Sequence, residues 1–219
     1  MIKISSVCKK YGKHTILDNI SINIHSGECV GIIGANGSGK TTLLSIIAGF
    51  LKPEKGSIFI DDKKLSFSSD ILRGYISYVP QENPLMEELS ALDNLRLWYT
   101  GASLNLEDEL DHGLLKMLGI SDFLNKRVSR LSGGMKKRLS IGIALADNPS
   151  LLIMDEPSAA LDLQCKKQIR DYIKNFTQNG GSVLLVSHDE PELSICDKLF
   201  LLKDSLLTET SKISADKYF

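Results

Sequence analysis

Cysteine is sparse and scattered in this chain. Cys8, Cys29, Cys165 and Cys196 stand far apart in 219 residues, with no Cys-x-x-Cys pair and no Cys/His cluster. That spacing argues against a metal site or a disulfide framework and predicts reduced thiols in a cytosolic protein. Charge of one sign is lacking too. Twenty-six Lys and Arg stand against 27 Asp and Glu, a net charge of −1, so no global basic field advertises nucleic acid or an anionic membrane as a partner. No apolar run approaches the roughly 20 residues of a membrane helix; the stretch Leu43–Leu51 is short and interrupted. The start, Met1-Ile2-Lys3-Ile4-Ser5-Ser6, has no signal-peptide apolar core. Internal repeats and low-complexity segments are missing. The expectation is a chain soluble by itself, which would serve a membrane only through a partner. With 42% hydrophobic and 24% charged residues, it has the composition of a globular domain with a real core: one domain of generous size, or one core with a subdomain attached.

What the chain does have is Gly34-Ala35-Asn36-Gly37-Ser38-Gly39-Lys40-Thr41, set between the apolar run Cys29–Ile33 and the helical pattern Thr42–Ala48. Gly, four residues, then Gly-Lys-Thr is the phosphate-cradling P-loop pattern, in its confirming strand-then-helix context. Glycines at 34, 37 and 39 allow a tight turn whose N–H groups point inward. The loop then opens a helix N-terminus, which favours an anion. Lys40 would reach β- and γ-phosphate oxygens, and Thr41 would take a place on Mg²⁺.

Around this stretch the chain reads as β segments Ile2–Val7, Thr15–Ile24 and Cys29–Ile33, with Tyr11 in a polar connector, Lys9–Lys13. The helix Lys40–Ala48 ends at Gly49. Gly56–Ile60 and Tyr75–Val79 are further β candidates, the second closing on Pro80-Gln81. Residues from about 87 to 130 turn helical, opening on a capping box at Ser90–Asp93 and including a helix over Leu106–Leu118 that Gly119 ends. They predict a helical subdomain inserted in the core of a single domain spanning 1–219. After it come helix Met135–Ala146, strand Leu151–Met154, helix Gln164–Thr177, strand Val183–Val186, helix Pro191–Ile195 and strand Lys198–Leu202, with a frayed polar tail from Thr208. Such alternation implies an α/β fold with a largely parallel sheet covered by helices.

Two further motifs carry chemistry. Strand Leu151–Met154 ends in Asp155-Glu156. In P-loop enzymes an Asp at such a strand end holds Mg²⁺; Asp155 fits that role, and Glu156 could polarise an attacking water as general base. Two solvated acids at a strand end is the plain alternative, and the P-loop makes it minor. Leu131-Ser132-Gly133-Gly134-Met135 is a second anion-binding turn opening a helix. One P-loop needs one phosphate cradle, so a second one points to a nucleotide bound by another copy.

With these motifs in order from Tyr11 to His188, the chain resembles the ATP-binding subunit of an ABC transporter. The family's signature is Leu-Ser-Gly-Gly-Gln, and Met135 departs at its fifth position. Met there, followed by Lys136-Lys137-Arg138, is similar to the exporter-type ATPases of the ABC-2 group. The resemblance implies a P-loop NTPase core with a mostly parallel sheet, an N-terminal antiparallel β subdomain and an inserted helical subdomain. It implies that Tyr11 stacks on adenine, that Asn36, Ser38 and Thr42 join the phosphate loop, and that Gln81 senses Mg²⁺ near the transporter contact. It further implies that Ser158–Asp162 is the D-loop and that His188 contacts the γ-phosphate. Two copies, or this chain and a second ATP-binding subunit, would sandwich two ATP·Mg²⁺. Each site would join Lys40, Thr41, Asp155 and Glu156 of one subunit to Ser132 and Gly134 of the other, with Gly133 and Asp162 also among the nucleotide-binding residues. ATP hydrolysis would then power transmembrane transport, with a lean toward export, through separate permease subunits that hold this chain on the cytoplasmic face of the membrane.

Several residues have plainer readings. Tyr11 could be a surface tyrosine and His188 a surface histidine, while Gln81 alone carries little information. His14, His25 and His112 read as structural or solvated, Trp98 as packing the helical subdomain, and Lys136-Lys137-Arg138 as a solvated helix face. A soluble relative acting on ribosomes or DNA would bring tandem cassettes, coiled-coil inserts or basic extensions, none of which the sequence carries. A kinase or GTPase switch would not need Leu131–Met135. The transported substrate lies outside what these residues can name.

Overall fold

The computed structural model describes residues 1–65, 74–159 and 161–210. Two sheets organise them. The first is antiparallel, in the order β2-β1-β4-β5, from β1 (Ile2–Tyr11), β2 (His14–Ile24), β4 (Lys55–Ile60) and the short β5 (Lys63–Lys64). The second runs β10-β9-β3-β8-β7-β6, from β3 (Cys29–Ile33), β6 (Ile76–Val79), β7 (Leu151–Asp155), β8 (Ser182–Val186), β9 (Lys198–Lys203) and β10 (Leu206–Thr210). Strands β9, β3, β8, β7 and β6 are parallel neighbours, and β10 returns antiparallel to β9.

The central strands read as unbroken apolar runs because both faces of their sheet are covered. Successive side chains point to opposite faces, so each strand feeds two cores. Val30, Ile32, Leu151, Ile153, Leu184 and Val186 pack with helix α1 (Lys40–Ile47) and the antiparallel sheet. Cys29, Ile33, Leu152, Met154, Val183 and Leu185 pack on the other face, in a core shared with α2 (Ala91–Tyr99), α5 (Gly133–Ala144) and α6 (Leu163–Gln178). Between β6 and α5 the chain is helical: α2, α3 (Leu106–Asp111), α4 (Leu114–Met117) and two 3₁₀ turns. α7 (Glu190–Leu193) completes the set.

Several expectations need correction. Tyr11 is not in a connector: it ends β1 and pairs with His14 across a Gly12-Lys13 turn. The stretch Leu106–Leu118 is two helices, because the chain turns at His112-Gly113, where the Glu109 carboxylate accepts the Leu114 N–H at 2.8 Å. Thr208–Thr210 are not frayed; they pair with β9. Part of the expected D-loop, Ala160, and the tail beyond Thr210 lie outside the described residues. The Ser90 cap holds, with its hydroxyl accepting the Asp93 N–H.

Candidate functional site

The site gathers at the carboxyl ends of parallel strands, where open α/β sheets place their ligands. β3 leads into Gly34, β6 into Gln81, β7 ends at Asp155, and β8 is followed by His188. A cavity of about 740 Å³ lies there, lined by Ile16, Asn36, Gly37, Gly39, Lys40, Thr41, Thr42, Gln81, Asp155, Glu156 and His188.

The phosphate loop is glycine-built for steric reasons. A Cβ at Gly34 would run into the Leu202 carbonyl, and one at Gly39 would meet Ile16 at 2.7 Å. Gly39, at φ 104°, is the N-cap of α1 and has no side chain with which to cap it, which leaves first-turn N–H groups without a side-chain acceptor at the cavity. Lys40 is 7% exposed. Its ammonium folds back on the loop, donating to the Gly34 carbonyl at 2.6 Å and the Ala35 carbonyl at 3.1 Å. Burial pulls its pKa below the ordinary lysine value, opposed by the negative charge of Glu156 and Asp155. The Ser38 hydroxyl oxygen is buried without a hydrogen-bond partner among the described residues.

Asp155, 2% exposed, accepts a hydrogen bond from the Thr41 hydroxyl at 2.8 Å and one from the Tyr78 phenol at 3.4 Å. Burial, then the adjacent Asp155 charge, pushes the Tyr78 pKa far up, so the phenol stays a donor. Glu156 adopts φ 49°, in the left-handed region, while its N–H donates to the Val186 carbonyl at 2.8 Å. The backbone thus continues its pairing with β8 as the side chain swings out of strand register. That conformation costs roughly 1–2 kcal/mol for a residue with a Cβ, and it brings the carboxylate to 3.2 Å from His188 Nε2.

A family model described as ABC transporter matches residues 17–159. The chain belongs to this family. The lantibiotic transport ATP-binding protein SrtF of Streptococcus pyogenes is 36% identical over 188 residues, 86% of this chain and 80% of that one. The linearmycin resistance ATP-binding protein LnrL of Bacillus subtilis is 32% identical over 205 residues, 92% of this chain. The chain spans 66% of the length of LnrL, and 29% of ABC transporter G family member 20 of Dictyostelium discoideum. Among solved structures, a dimeric ATP-binding cassette in a post-hydrolysis state, bound to ADP and Pi, superimposes with a TM-score of 0.85 at 32% identity, over 97% of this chain and 99% of that one.

In this ABC domain the cavity assembles the residues of the P-loop, Gln81, Asp155, Glu156 and His188. It leaves others outside. Tyr11 is half exposed, with Lys9 Nζ 5.7 Å from its ring centre, and Ile16 lines the cavity instead. Ser132 and Gly133, exposed, and Gly134, partly buried, form the start of α5, where the Ser132 hydroxyl accepts the Met135 N–H at 3.3 Å. Asp162 caps α6, accepting the Cys165 N–H at 2.8 Å, a bond that holds its carboxyl below the usual aspartate range.

The solvated face expected at Lys136–Arg138 is overturned. Lys137 is 2% exposed and donates to the carbonyls of Pro80 at 2.8 Å and Gln81 at 3.1 Å. Lys136 pairs with Glu87, and Arg138 donates to the Leu118 carbonyl and lies over the Phe123 ring. Trp98, expected to pack, is 54% exposed, and its neighbour Tyr99 is buried in its place. Sequence reasoning missed Tyr78, Lys137 and Ile16. Each is an ordinary residue in an ordinary element, and only the fold brings it to the site.

Among the described residues no helix is long and apolar enough to cross a membrane.

Proposed function

We propose that the cavity binds ATP with Mg²⁺ and hydrolyses it, and that the chain is the ATP-driven subunit of a transporter whose membrane-spanning subunits are separate chains. One observation carries this reading: Lys40, the Thr41–Asp155 pair and the Glu156–His188 pair converge on one cavity, while the Ser132–Gly134 turn does not line it.

The residues present fit the ligands. The unpartnered Ser38 hydroxyl, the cradle that a Cβ at Gly34 would fill and the uncapped start of α1 all favour a phosphate. Lys40 would exchange the Gly34 and Ala35 carbonyls for β- and γ-phosphate oxygens. Thr41, Asp155 and Gln81 offer the oxygen donors that would hold Mg²⁺, which supplies charge neutralisation on those phosphates. Glu156 accepts a proton from the attacking water. The water oxygen bonds to the γ-phosphorus as the bond to the β–γ bridging oxygen breaks, leaving ADP and phosphate. His188, held beside Glu156, donates to the γ-phosphate. Tyr11 offers a ring face to adenine.

In this reading Ser132, Gly133, Gly134 and Asp162 complete the site of a second subunit, in the simplest case a second copy of this chain. ATP then closes the dimer and hydrolysis opens it, a population shift passed to the membrane partners. The related proteins named for lantibiotic transport, Nod factor export and linearmycin resistance support transport outward, with the chain peripheral on the cytoplasmic face. Nucleic acid has no part in this reading.

The test is steady-state ATP hydrolysis by the purified chain, wild type against Glu156→Gln, with size exclusion in ATP. Removing the base is expected to lower kcat by about 100-fold or more, with the variant accumulating as an ATP-bound dimer. Equal rates in both would remove Glu156 as the base.

A further inference from the structure

We propose that Glu192 is a positioning residue, a buried clamp that ties the loop carrying His188 to the loop that follows Glu156. The inference rests on reading the cavity as the ATP hydrolysis site.

Glu192 lies on α7 and is 0% exposed. Glutamate is almost never fully buried unless paired, and its hydrogen-bond partner here is a hydroxyl. Ser187, the residue before His188, donates to Glu192 Oε2 at 2.5 Å. The same Ser187 hydroxyl accepts the N–H of Asp189, the residue after His188, at 2.9 Å. The hydroxyl of Ser158, two residues beyond Glu156, lies close enough to the same carboxyl to lower its pKa. Ser187 and Ser158 are themselves 2% and 4% exposed. The carboxyl therefore fixes, through Ser187, the backbone on both sides of His188, with the Ser158 hydroxyl of the loop after Glu156 beside it. Asp189 adds a brace from outside, taking the Lys166 ammonium of α6 at 2.7 Å.

Simple packing would not call for an acid here. An apolar side chain of similar volume would fill the place without a desolvation cost. Burial pushes the Glu192 pKa up, against the pull of the two hydroxyls, and its Oε1 has no hydrogen-bond partner among the described residues. Glutamine keeps a side-chain oxygen that can accept the Ser187 hydroxyl in the same place. The polar group earns its place through geometry: a misplacement of about 1 Å far from the chemistry can slow a reaction about 100-fold.

The experiment compares Glu192→Gln, Glu192→Leu, Ser187→Ala and Ser158→Ala in the full chain. It measures kcat and KM for ATP, and the ring ¹³C–¹H signal of His188 by NMR without nucleotide. Glu192→Gln is expected to keep kcat within about three-fold and to leave the His188 signal in place. Glu192→Leu and the serine variants are expected to lose about 10- to 100-fold in kcat, with KM for ATP nearly unchanged and the His188 signal displaced. Wild-type kcat with an unmoved His188 signal in the serine variants would overturn the clamp, even if Glu192→Leu fails to fold. So would a Glu192→Gln variant as slow as the serine ones. If the wild type neither binds nor hydrolyses ATP, the ATP reading fails; the His188 signal still decides the clamp.

Discussion

Asp155 and Glu192 are both carboxyl groups withdrawn from water, and their surroundings use them differently. Asp155 sits at the cavity wall with the hydroxyls of Thr41 and Tyr78 on one oxygen, where the proposed function has it hold Mg²⁺. Glu192 lies behind the site and meets only neutral donors at its carboxyl, with Asp189 raising its pKa and Lys166 lowering it more weakly than burial raises it. The sign of its effect on stability follows. A carboxyl whose folded pKa is raised above the ordinary 4.5 holds a proton in the fold that the unfolded chain releases. Its stabilising contribution is full below that value and is lost as pH rises through the folded pKa. Glu192→Gln cannot lose a proton, so its melting midpoint is expected to gain on that of the wild type as pH climbs from 4.5. Thermal melts at a series of pH values check this; a constant difference would contradict it. At this scale the sequence was legible where chemistry is contiguous. Gly34–Thr41 and Asp155-Glu156 announce themselves by spacing. Lys137, Tyr78 and Glu192 do not, because each acts through one contact with a residue remote in sequence or through a burial that a single position does not reveal.

Among the elements, α5 carries two duties at its first turn. Ser132 caps the helix and, in the proposed dimer, faces the γ-phosphate of the other subunit. The duties separate by substitution. Ser132→Ala is expected to cost about 1 kcal/mol of stability through the lost cap, read by denaturant unfolding. Ser132→Asp keeps a good cap and wild-type stability, but sets a carboxylate against a phosphate. It is expected to abolish ATP-dependent dimerisation and to slow hydrolysis about 100-fold or more, read by size exclusion and turnover. Element boundaries were legible where a strand is buried on both faces: β3, β7 and β8 are unbroken apolar runs. They were misread where tertiary context decides. β10 is a polar edge strand, with Thr208 and Glu209 in partly or fully exposed positions, and polar residues are no bar to pairing at an edge. The apolar spacing over Leu106–Leu118 suits one helix, yet Glu109 caps the turn at Gly113 and makes two.

For the whole molecule, parallel strands fix which residues can meet. β3, β6, β7 and β8 all end on the same edge of one sheet, so Lys40, Gln81, Asp155, Glu156 and His188 converge although more than a hundred residues separate the first from the last. The start of α5 does not line this cavity, and in the proposed reading its turn serves the nucleotide of another subunit. In the proposed function two chains share each reaction, and mixing two inactive variants puts that sharing to the test. Lys40→Ala disables the cradle and Ser132→Asp the turn, so each is expected to be inactive alone while the wild type hydrolyses ATP. A mixed dimer holds one site with a wild-type cradle facing a wild-type turn, and the account predicts that hydrolysis reappears on mixing. A mixture that stays inactive beside an active wild type would place the whole reaction within one chain and contradict the account.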